Sequence, residues 1–194
     1  MDESRVRDAG RLRRAGDGFR AVVSKIGDDQ WALDTPCDGW SVRDLVGHVA
    51  AGSRMVVALA DGGTRNDAIA VLGIDHLGDD PRGALAAALE RQAEVFERPG
   101  IDEQIFEHPA GDMPGAQVLS FRIGDLVAHQ WDLATAIGVD DTLDPDLVER
   151  AWSDIEPMLP VLGSLGVFGA GPSGVVAGDA PLQVRLLDAM GRRP

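Results

Sequence analysis

The sequence is poor in cysteine and in long apolar runs, and each shortage excludes a class of protein. A single cysteine, Cys37, rules out an internal disulfide and a cysteine-based zinc knuckle. No apolar run approaches the roughly 18 residues of a membrane-spanning helix, and the N-terminal stretch MDESRVRDAGRLRR lacks the apolar centre of a signal peptide. We therefore expect a cytoplasmic protein with no membrane partner.

Basic residues are also scarce relative to acidic ones. The 194 residues include 32 Asp and Glu against 18 Lys and Arg, which gives a formal net charge of −14. A protein that binds nucleic-acid phosphates or an anionic membrane surface needs a positive surface. The composition thus argues against both partners. The length favours one domain over residues 1–194, with room for a sizeable core.

Helical periodicity dominates the pattern of apolar residues. Capping and turn residues bound the periodic segments, so each segment has a start and a stop. We predict helices over residues 3–25, 41–60, 66–72, 81–98, 116–137, 145–159 and 181–190. No alternating stretch is long enough for a sheet, although residues 174–177 could be extended. The predicted class is all-α: an antiparallel four-helix bundle, followed by short C-terminal helices and a glycine-rich tail.

Three connections between the helices have loop composition. Thr35-Pro36 and Asp38-Gly39 indicate an ordered loop in DDQWALDTPCDGW, residues 28–40. The stretch EHPAGDMPG, residues 107–115, is predicted to be a turn-rich loop. Residues 163–179 are rich in glycine and have no helical period, and we expect them to form a lid over the bundle end near TPCDGW.

The segment RIGDLVAHQWDLATAIG, residues 122–138, places polar groups on a helix that is apolar almost all round. Asp125, His129 and Asp132 follow one another at i, i+4 and i+7, so they lie along one face. An apolar circumference is typical of a buried helix. A buried carboxylate and imidazole need a partner, because an unpaired polar group there is costly. A metal ion is one such partner.

The pattern DLVAH at residues 125–129 has a copy, DLVGH, at residues 44–48. In the copy, Asp44 stands three residues after Ser41, where it can cap its own helix in a variant of the capping box. His48 is then the remaining candidate for a metal ligand in that segment. Two imidazoles and one carboxylate are the usual ligands of a catalytic zinc or nickel site. His48, Asp125 and His129 would form that set if their helices face each other. The alternative is that each is a structural, hydrogen-bonded residue.

Other polar residues leave alternatives open. Asp132 could orient His129 as a hydrogen-bond partner, or it could bond the loop at Cys37. Cys37 itself could be a redox thiol or a packing residue of that loop. His76 and His108 stand beside Gly, Asp and Pro, and we expect both to be solvated.

The two stretches DTPCDGWSVRDLVGHV and RIGDLVAHQWDLATAIG resemble an actinobacterial family similar to the N-terminal domain of mycothiol-dependent maleylpyruvate isomerase, within the DinB-like superfamily. The ending APLQVRLLDAMGRRP is similar to that family's C-terminal pattern. The resemblance implies a DinB-like four-helix bundle with a divalent metal held by three side chains. His48 matches the first ligand and His129 the last, and Asp125 stands where the isomerase has Glu.

The resemblance also implies a function: a divalent-metal-dependent enzyme of the thiol S-transferase or isomerase kind. Zinc or nickel would activate a small thiol such as mycothiol toward an electrophile. The isomerase has a second, C-terminal domain that contributes to its active site. Only about 55 residues follow Gly138 here, too few for a domain of that kind, so we do not expect isomerisation of maleylpyruvate itself. The alternative is a non-catalytic DinB-like binding or structural protein, with or without a metal. Such bundles often pair through a helix face, so a homodimer is an open outcome.

Overall fold

The architecture is known from a computed structural model, which describes residues 3–160 and 171–194. Seven α-helices, two strands and one 3₁₀ turn make up the described regular structure. They are α1 (Glu3–Val23), α2 (Val42–Ala60), α3 (Arg65–Leu72), α4 (Pro81–Phe96), β1 (Ile105–His108), β2 (Gly111–Pro114), α5 (Gly115–Ile137), α6 (Pro145–Ile155), the 3₁₀ turn (Glu156–Met158) and α7 (Leu182–Ala189). The predicted all-α class is confirmed, with one short strand pair added.

The chain divides into two compact units, Met1–Asp140 and Asp141–Pro194. In the first unit, α2 and α1 each pack against both α4 and α5, which gives the predicted four-helix bundle. In the second unit, α6 packs against α7, and the guanidinium of Arg185 lies 4.4 Å from the centre of the Trp152 ring. The single domain over 1–194 stays a prediction.

Helices α2 and α5 of the first unit have the ends that their sequences predict. Ser41 caps α2: its side chain accepts a hydrogen bond from the backbone N–H of Asp44, whose carboxylate accepts from the backbone N–H of Ser41. Gly138 ends α5 in the left-handed conformation, at φ 71°, which glycine adopts without strain. Most of α5 is buried, as its apolar circumference predicts. The predicted bounds of both helices are thus confirmed to within one residue.

The prediction of a loop at 107–115, with no sheet nearby, is wrong. The chain forms an antiparallel hairpin in which Phe106 pairs with Met113 and His108 with Gly111. Phe106 and Met113 are both buried, so one face of a strand pair only four residues long packs inward. Each strand contributes only one apolar residue to that face, so the alternation of apolar and polar residues is too short to be recognised in the sequence.

Two further expectations concern the C-terminal part and membranes. The α6 segment ends at Ile155 rather than near residue 159, because Pro157 lacks the N–H that continues a helix and the chain turns to 3₁₀ geometry. Of the predicted glycine-rich lid at 163–179, residues 163–170 lie outside the described residues. Across the described ranges, no helix has the length and apolar character needed to cross a membrane.

Candidate metal centre

Helices α2 and α5 pack against each other and bring three predicted residues together. The carboxylate oxygen Oδ1 of Asp125 lies 3.3 Å from Nε2 of His48 and 3.3 Å from Nε2 of His129. One donor atom from each residue lies within 4.8 Å of the others. The two imidazole rings meet edge to face, with centroids 5.0 Å apart. The predicted approach of the two helices is confirmed, and the assignment of these residues as metal ligands stays a prediction.

Asp132 fixes the orientation of His129. Its Oδ2 lies 2.9 Å from Nδ1 of His129, and the Asp132 side chain is fully buried one turn further along α5. Because Nδ1–H donates to Asp132, Nε2 is the ring atom that faces Asp125 and His48. A carboxylate in this position is typical of the partner that orients a metal-ligating histidine.

The same oxygen of Asp132 also bonds the preceding loop. The thiol of Cys37 donates to Oδ2 of Asp132 at 3.2 Å, and Sγ lies 3.9 Å from Nδ1 of His129. Asp132 therefore makes both of the contacts that the sequence left as alternatives. Cys37, His129 and Asp132 form a second group with donor atoms close enough to hold an ion, and that group shares His129 with the first.

Arg122, one turn before Asp125 on α5, lies beneath the centre and is almost completely buried. Its Nη1 donates to Oδ2 of Asp125 at 2.8 Å, and its Nε donates to the side chain of Gln92 on α4 at 2.7 Å. Its Nη2 donates to the carbonyl of Val49 and to Ser53 on α2, both at 3.3 Å. The two oxygens of Asp125 thus have different partners: Oδ2 faces the guanidinium, and Oδ1 faces the imidazoles.

The charges of this cluster shift the pKa of two members in opposite directions. Burial raises the pKa of the Asp125 carboxyl, but the charges of Arg122 and His129 outweigh it and hold that pKa well below its usual range. Burial lowers the pKa of His129, but Asp125 and then Asp132 outweigh it and raise that pKa well above its usual range. Among the chain's own groups, two carboxylates face a guanidinium and an imidazolium, so the cluster is close to neutral.

Trp40 covers part of the centre and His48 opens it to solvent. The Trp40 ring is tilted against His48, with centroids 4.7 Å apart, and lies 6.0 Å from the His129 ring. The side chain of His48 is 34% exposed and that of Asp125 24%, whereas His129 is only 9% exposed. The centre is therefore in contact with solvent on the His48 side, next to the indole.

The loop that carries Cys37 and Trp40 is ordered by its own hydrogen bonds, as predicted. The Thr35 hydroxyl accepts from the backbone N–H of Cys37 at 3.2 Å and donates to the carbonyl of Trp40 at 2.9 Å. A bridge pairs Asp34 with Ser41, the capping residue of α2. The turn thereby places the thiol at Asp132 and the indole at His48.

The donor set suits a divalent transition metal. Two imidazole nitrogens and one carboxylate oxygen converge, the tautomer of one imidazole is fixed, and the second oxygen of the carboxylate is already bonded. Such a trio leaves coordination positions for an outside ligand. The residues present therefore fit a divalent metal ion.

The sequence prediction missed two neighbours of the centre, and it was wrong about the burial of two histidines elsewhere. Arg122 and Trp40 were missed as members, although an Arg three residues before Asp125 on an apolar helix is a readable signal. His76 and His108 are half-buried rather than solvated. His76 Nε2 lies 2.7 Å from the carbonyl of Val71, and His108, within β1, accepts from the backbone N–H of Ala110. Neither belongs to the two groups of potential ligands found among the described residues.

Comparison with known proteins decides the family. The sequence model described as the mycothiol maleylpyruvate isomerase N-terminal domain matches residues 12–134. The chain belongs to this family. All three residues of the candidate centre, His48, Asp125 and His129, lie within the matched range.

Relatives of this family member include two uncharacterized proteins of Mycobacterium tuberculosis. Rv0738 is 34% identical over 142 residues, covering 71% of this chain and 72% of the relative. Rv0036c is 27% identical over 144 residues, covering 66% of this chain and 55% of the relative. The expected actinobacterial family is thus confirmed.

A solved structure supports the same fold. The crystal structure of the mycothiol-dependent maleylpyruvate isomerase superposes with a TM-score of 0.62 at 15% sequence identity, covering 78% of this chain and 69% of that chain. At this identity the likeness concerns the fold alone. The expected helical bundle is confirmed.

Proposed function

We propose that this family member is a divalent-metal-dependent enzyme of the thiol S-transferase or isomerase kind, with zinc or nickel held by His48, Asp125 and His129. The observation that carries the proposal is the convergence of two imidazole Nε2 atoms on one oxygen of Asp125, beside an opening to solvent. A buried cluster with a purely structural role needs no such opening.

A low-molecular-weight thiol, such as mycothiol, is the proposed cosubstrate. The related isomerase is mycothiol-dependent, and the family takes its name from that protein. With a divalent ion in place, the positive charges of the ion and of Arg122 would exceed the negative charges of Asp125 and Asp132 by one. A bound thiolate would neutralise that excess. A metal ion in such a site lowers the pKa of a bound thiol and so supplies a sulfur nucleophile at neutral pH.

The chain's own residues have definable tasks in this function. Asp132 holds the ring of His129, and Arg122 holds the carboxylate of Asp125, so both groups are fixed before any ligand arrives. Trp40 gives the ligand an apolar wall and restricts water at His48. The exposed edge of His48 marks the side from which the thiol and its acceptor approach.

The acceptor is proposed to be a neutral or cationic electrophile. The formal net charge of −14 repels anionic substrates from bulk solvent. Arg122 is buried and already bonded to Asp125, so its charge acts within the centre and does not attract anions from bulk solvent. An epoxide, an uncharged xenobiotic or an unsaturated neutral compound fits this field better than a dicarboxylate.

A second candidate function is a non-catalytic DinB-like binding or structural protein. One observation favours it: each member of the centre already has a protein partner, and the charges of the cluster balance without an ion. A cluster that is satisfied in this way is stable as part of a core.

The two candidates differ in thiol chemistry. We would measure the consumption of mycothiol with a panel of neutral electrophiles, comparing metal-loaded wild type with His48→Ala and with His76→Ala as a control away from the centre. The proposal expects catalysis by wild type and His76→Ala, and only the uncatalysed rate with His48→Ala. Equal background rates in all three proteins would favour the non-catalytic candidate.

A further inference from the structure

Arg122 ties three helices of the bundle to one oxygen of the candidate centre. Its guanidinium bonds Gln92 of α4, Val49 and Ser53 of α2, and Asp125 of its own helix. Gln92 and Ser53 are themselves almost inaccessible to solvent. A charged group buried in this way is held in one place, because any displacement would leave several buried polar atoms unpaired.

Gly52 on α2 makes the room that this guanidinium occupies. A Cβ atom built at Gly52 would overlap Nη1 of Arg122 and would lie a tight 3.0 Å from its Cζ. Glycine in the interior of a helix is unfavourable relative to alanine, and φ at Gly52 is not in the left-handed region. The clearance for Arg122 therefore gives a structural reason for glycine at this position.

We propose that Gly52 and Arg122 act as a positioning pair that occupies Oδ2 of Asp125, so that Asp125 offers a metal only Oδ1 and a coordination position stays open to a thiolate. The inference rests on the proposed function, because it concerns the same centre. It follows from the partition of the two oxygens: Oδ2 lies 2.8 Å from Nη1 of Arg122, and Oδ1 faces His48 and His129.

The pair is expected to weaken the binding of the metal and to strengthen the binding of an anionic ligand to that metal. A guanidinium bonded to the ligating carboxylate repels a cation, so it weakens metal binding. The same positive charge favours an anionic ligand on the metal, and sulfur as thiolate is the ligand class that the open position would take. A carboxylate free to bind through both oxygens would hold the ion more tightly and fill that position.

The decisive variant is Gly52→Ala, because it alters no group that touches the metal. The added methyl displaces the end of the Arg122 side chain and frees Oδ2. The matched control is Gly47→Ala on the same helix, where a Cβ would meet only the Leu77 side chain at an ordinary 3.7 Å. We would load both variants and wild type with Co²⁺ and record the dissociation constant, the visible absorption and the thermal midpoint of the metal-free protein.

For Gly52→Ala we expect Co²⁺ to bind roughly tenfold more tightly, since the repulsion by the guanidinium is reduced. Its visible absorption should weaken, because a higher coordination number lowers the intensity of Co²⁺ bands. The thermal midpoint of the metal-free protein should fall. Gly47→Ala should match wild type in affinity and spectrum. A merely structural role for the pair would lower metal affinity and stability together.

The ligand class is tested on the same Co²⁺-loaded proteins with 2-mercaptoethanol as the probe. Wild type should develop a sulfur-to-cobalt charge-transfer band, and Gly52→Ala should need a severalfold higher thiol concentration to develop it. As a second route, Arg122→Met should reproduce the spectrum of Gly52→Ala. Arg122→Lys should have a Co²⁺ affinity closer to that of wild type than Arg122→Met has, because it keeps the charge.

The outcomes separate this inference from the function on which it rests. If wild type binds no Co²⁺, both are overturned. If wild type binds Co²⁺ while folded Gly52→Ala has the same affinity, spectrum and thiol response, only the positioning pair is overturned. If Gly52→Ala does not fold, Arg122→Met decides: tighter Co²⁺ binding with weaker visible absorption than wild type supports the pair, and equal or lower affinity overturns it.

Discussion

Nε2 of His48 lies 3.3 Å from Oδ1 of Asp125, although the two residues are 77 positions apart in the chain. Each side chain belongs to a different helix, so the contact depends on the packing of α2 against α5. His129 reaches the same oxygen from one turn beyond Asp125. A change at any of the three residues, or at a residue that orients one of them, should therefore be felt at the shared oxygen.

Replacement of Asp132 by Asn tests the orienting hydrogen bond without removing a proposed ligand. The amide keeps the size of the side chain but offers the His129 ring an acceptor without charge. We expect metal affinity to fall by roughly ten- to hundredfold, as for other partners of ligating histidines. Isothermal titration with Zn²⁺ measures this change. Asp67→Asn, at the cap of α3, is the control and should leave metal affinity unaltered.

The capping box of α2 should make stability depend on pH in the acidic range. Hydrogen bonds from the Ser41 side chain and then its backbone N–H hold the pKa of Asp44 below its ordinary value of about 4. A carboxyl whose pKa is lower in the folded chain than in the unfolded chain stabilises the fold at pH values above the unfolded-chain pKa. That stabilisation is lost as the pH falls through the folded-chain pKa. The ionised cap therefore stabilises α2 at neutral pH and not in strong acid.

The measurement for the cap is urea unfolding of wild type, Ser41→Ala and Asp44→Asn at pH 7 and near pH 3. Ser41→Ala should cost about 1 kcal/mol at pH 7. The difference in the free energy of unfolding between wild type and Asp44→Asn should be smaller at the lower pH, because Asp44 of the wild type also loses its charge there. A difference that stays constant between the two pH values would contradict an ionised cap.

Trp40 should report the arrival of a metal. Its ring is 4.7 Å from the His48 ring, so a paramagnetic ion held by His48 would quench its fluorescence. We expect titration with Ni²⁺ or Co²⁺ to lower the emission of wild type in proportion to bound metal. Trp40→Phe should lose most of this response. The control is Trp31→Phe, because the Trp31 indole packs under Arg82, and this variant should retain the response. Equal quenching in both variants would place the ion elsewhere.

The positions on helices were the part of the centre that sequence could predict. Asp125 and His129 follow from the spacing of four residues on an apolar helix, and His48 follows from the repeated pattern DLVGH. Arg122 was missed because its partners, Gln92 and Ser53, come from other helices, which one sequence does not pair. The hairpin was missed because its inward face holds only Phe106 and Met113.

Tertiary packing also decided an alternative that the sequence left open. The sequence left open whether Asp132 bonds His129 or the loop at Cys37. The structure brings the thiol and the imidazole to the same oxygen, because the loop of Thr35 turns the Cys37 side chain onto α5. A carboxylate oxygen accepts two donors, so both contacts coexist.

The central claim is that His48, Asp125 and His129 hold one divalent ion, and the most direct measurement is the metal content of protein purified without an affinity tag. Elemental analysis should find about one zinc or nickel per chain in wild type and none in His129→Ala. Added metal should raise the melting temperature of stripped wild type, because the ion binds only the folded chain. His76→Ala should behave as wild type. Equal metal content in wild type and His129→Ala, or an unchanged thermal shift, would contradict the claim and assign the ion to the acidic surface or to another site.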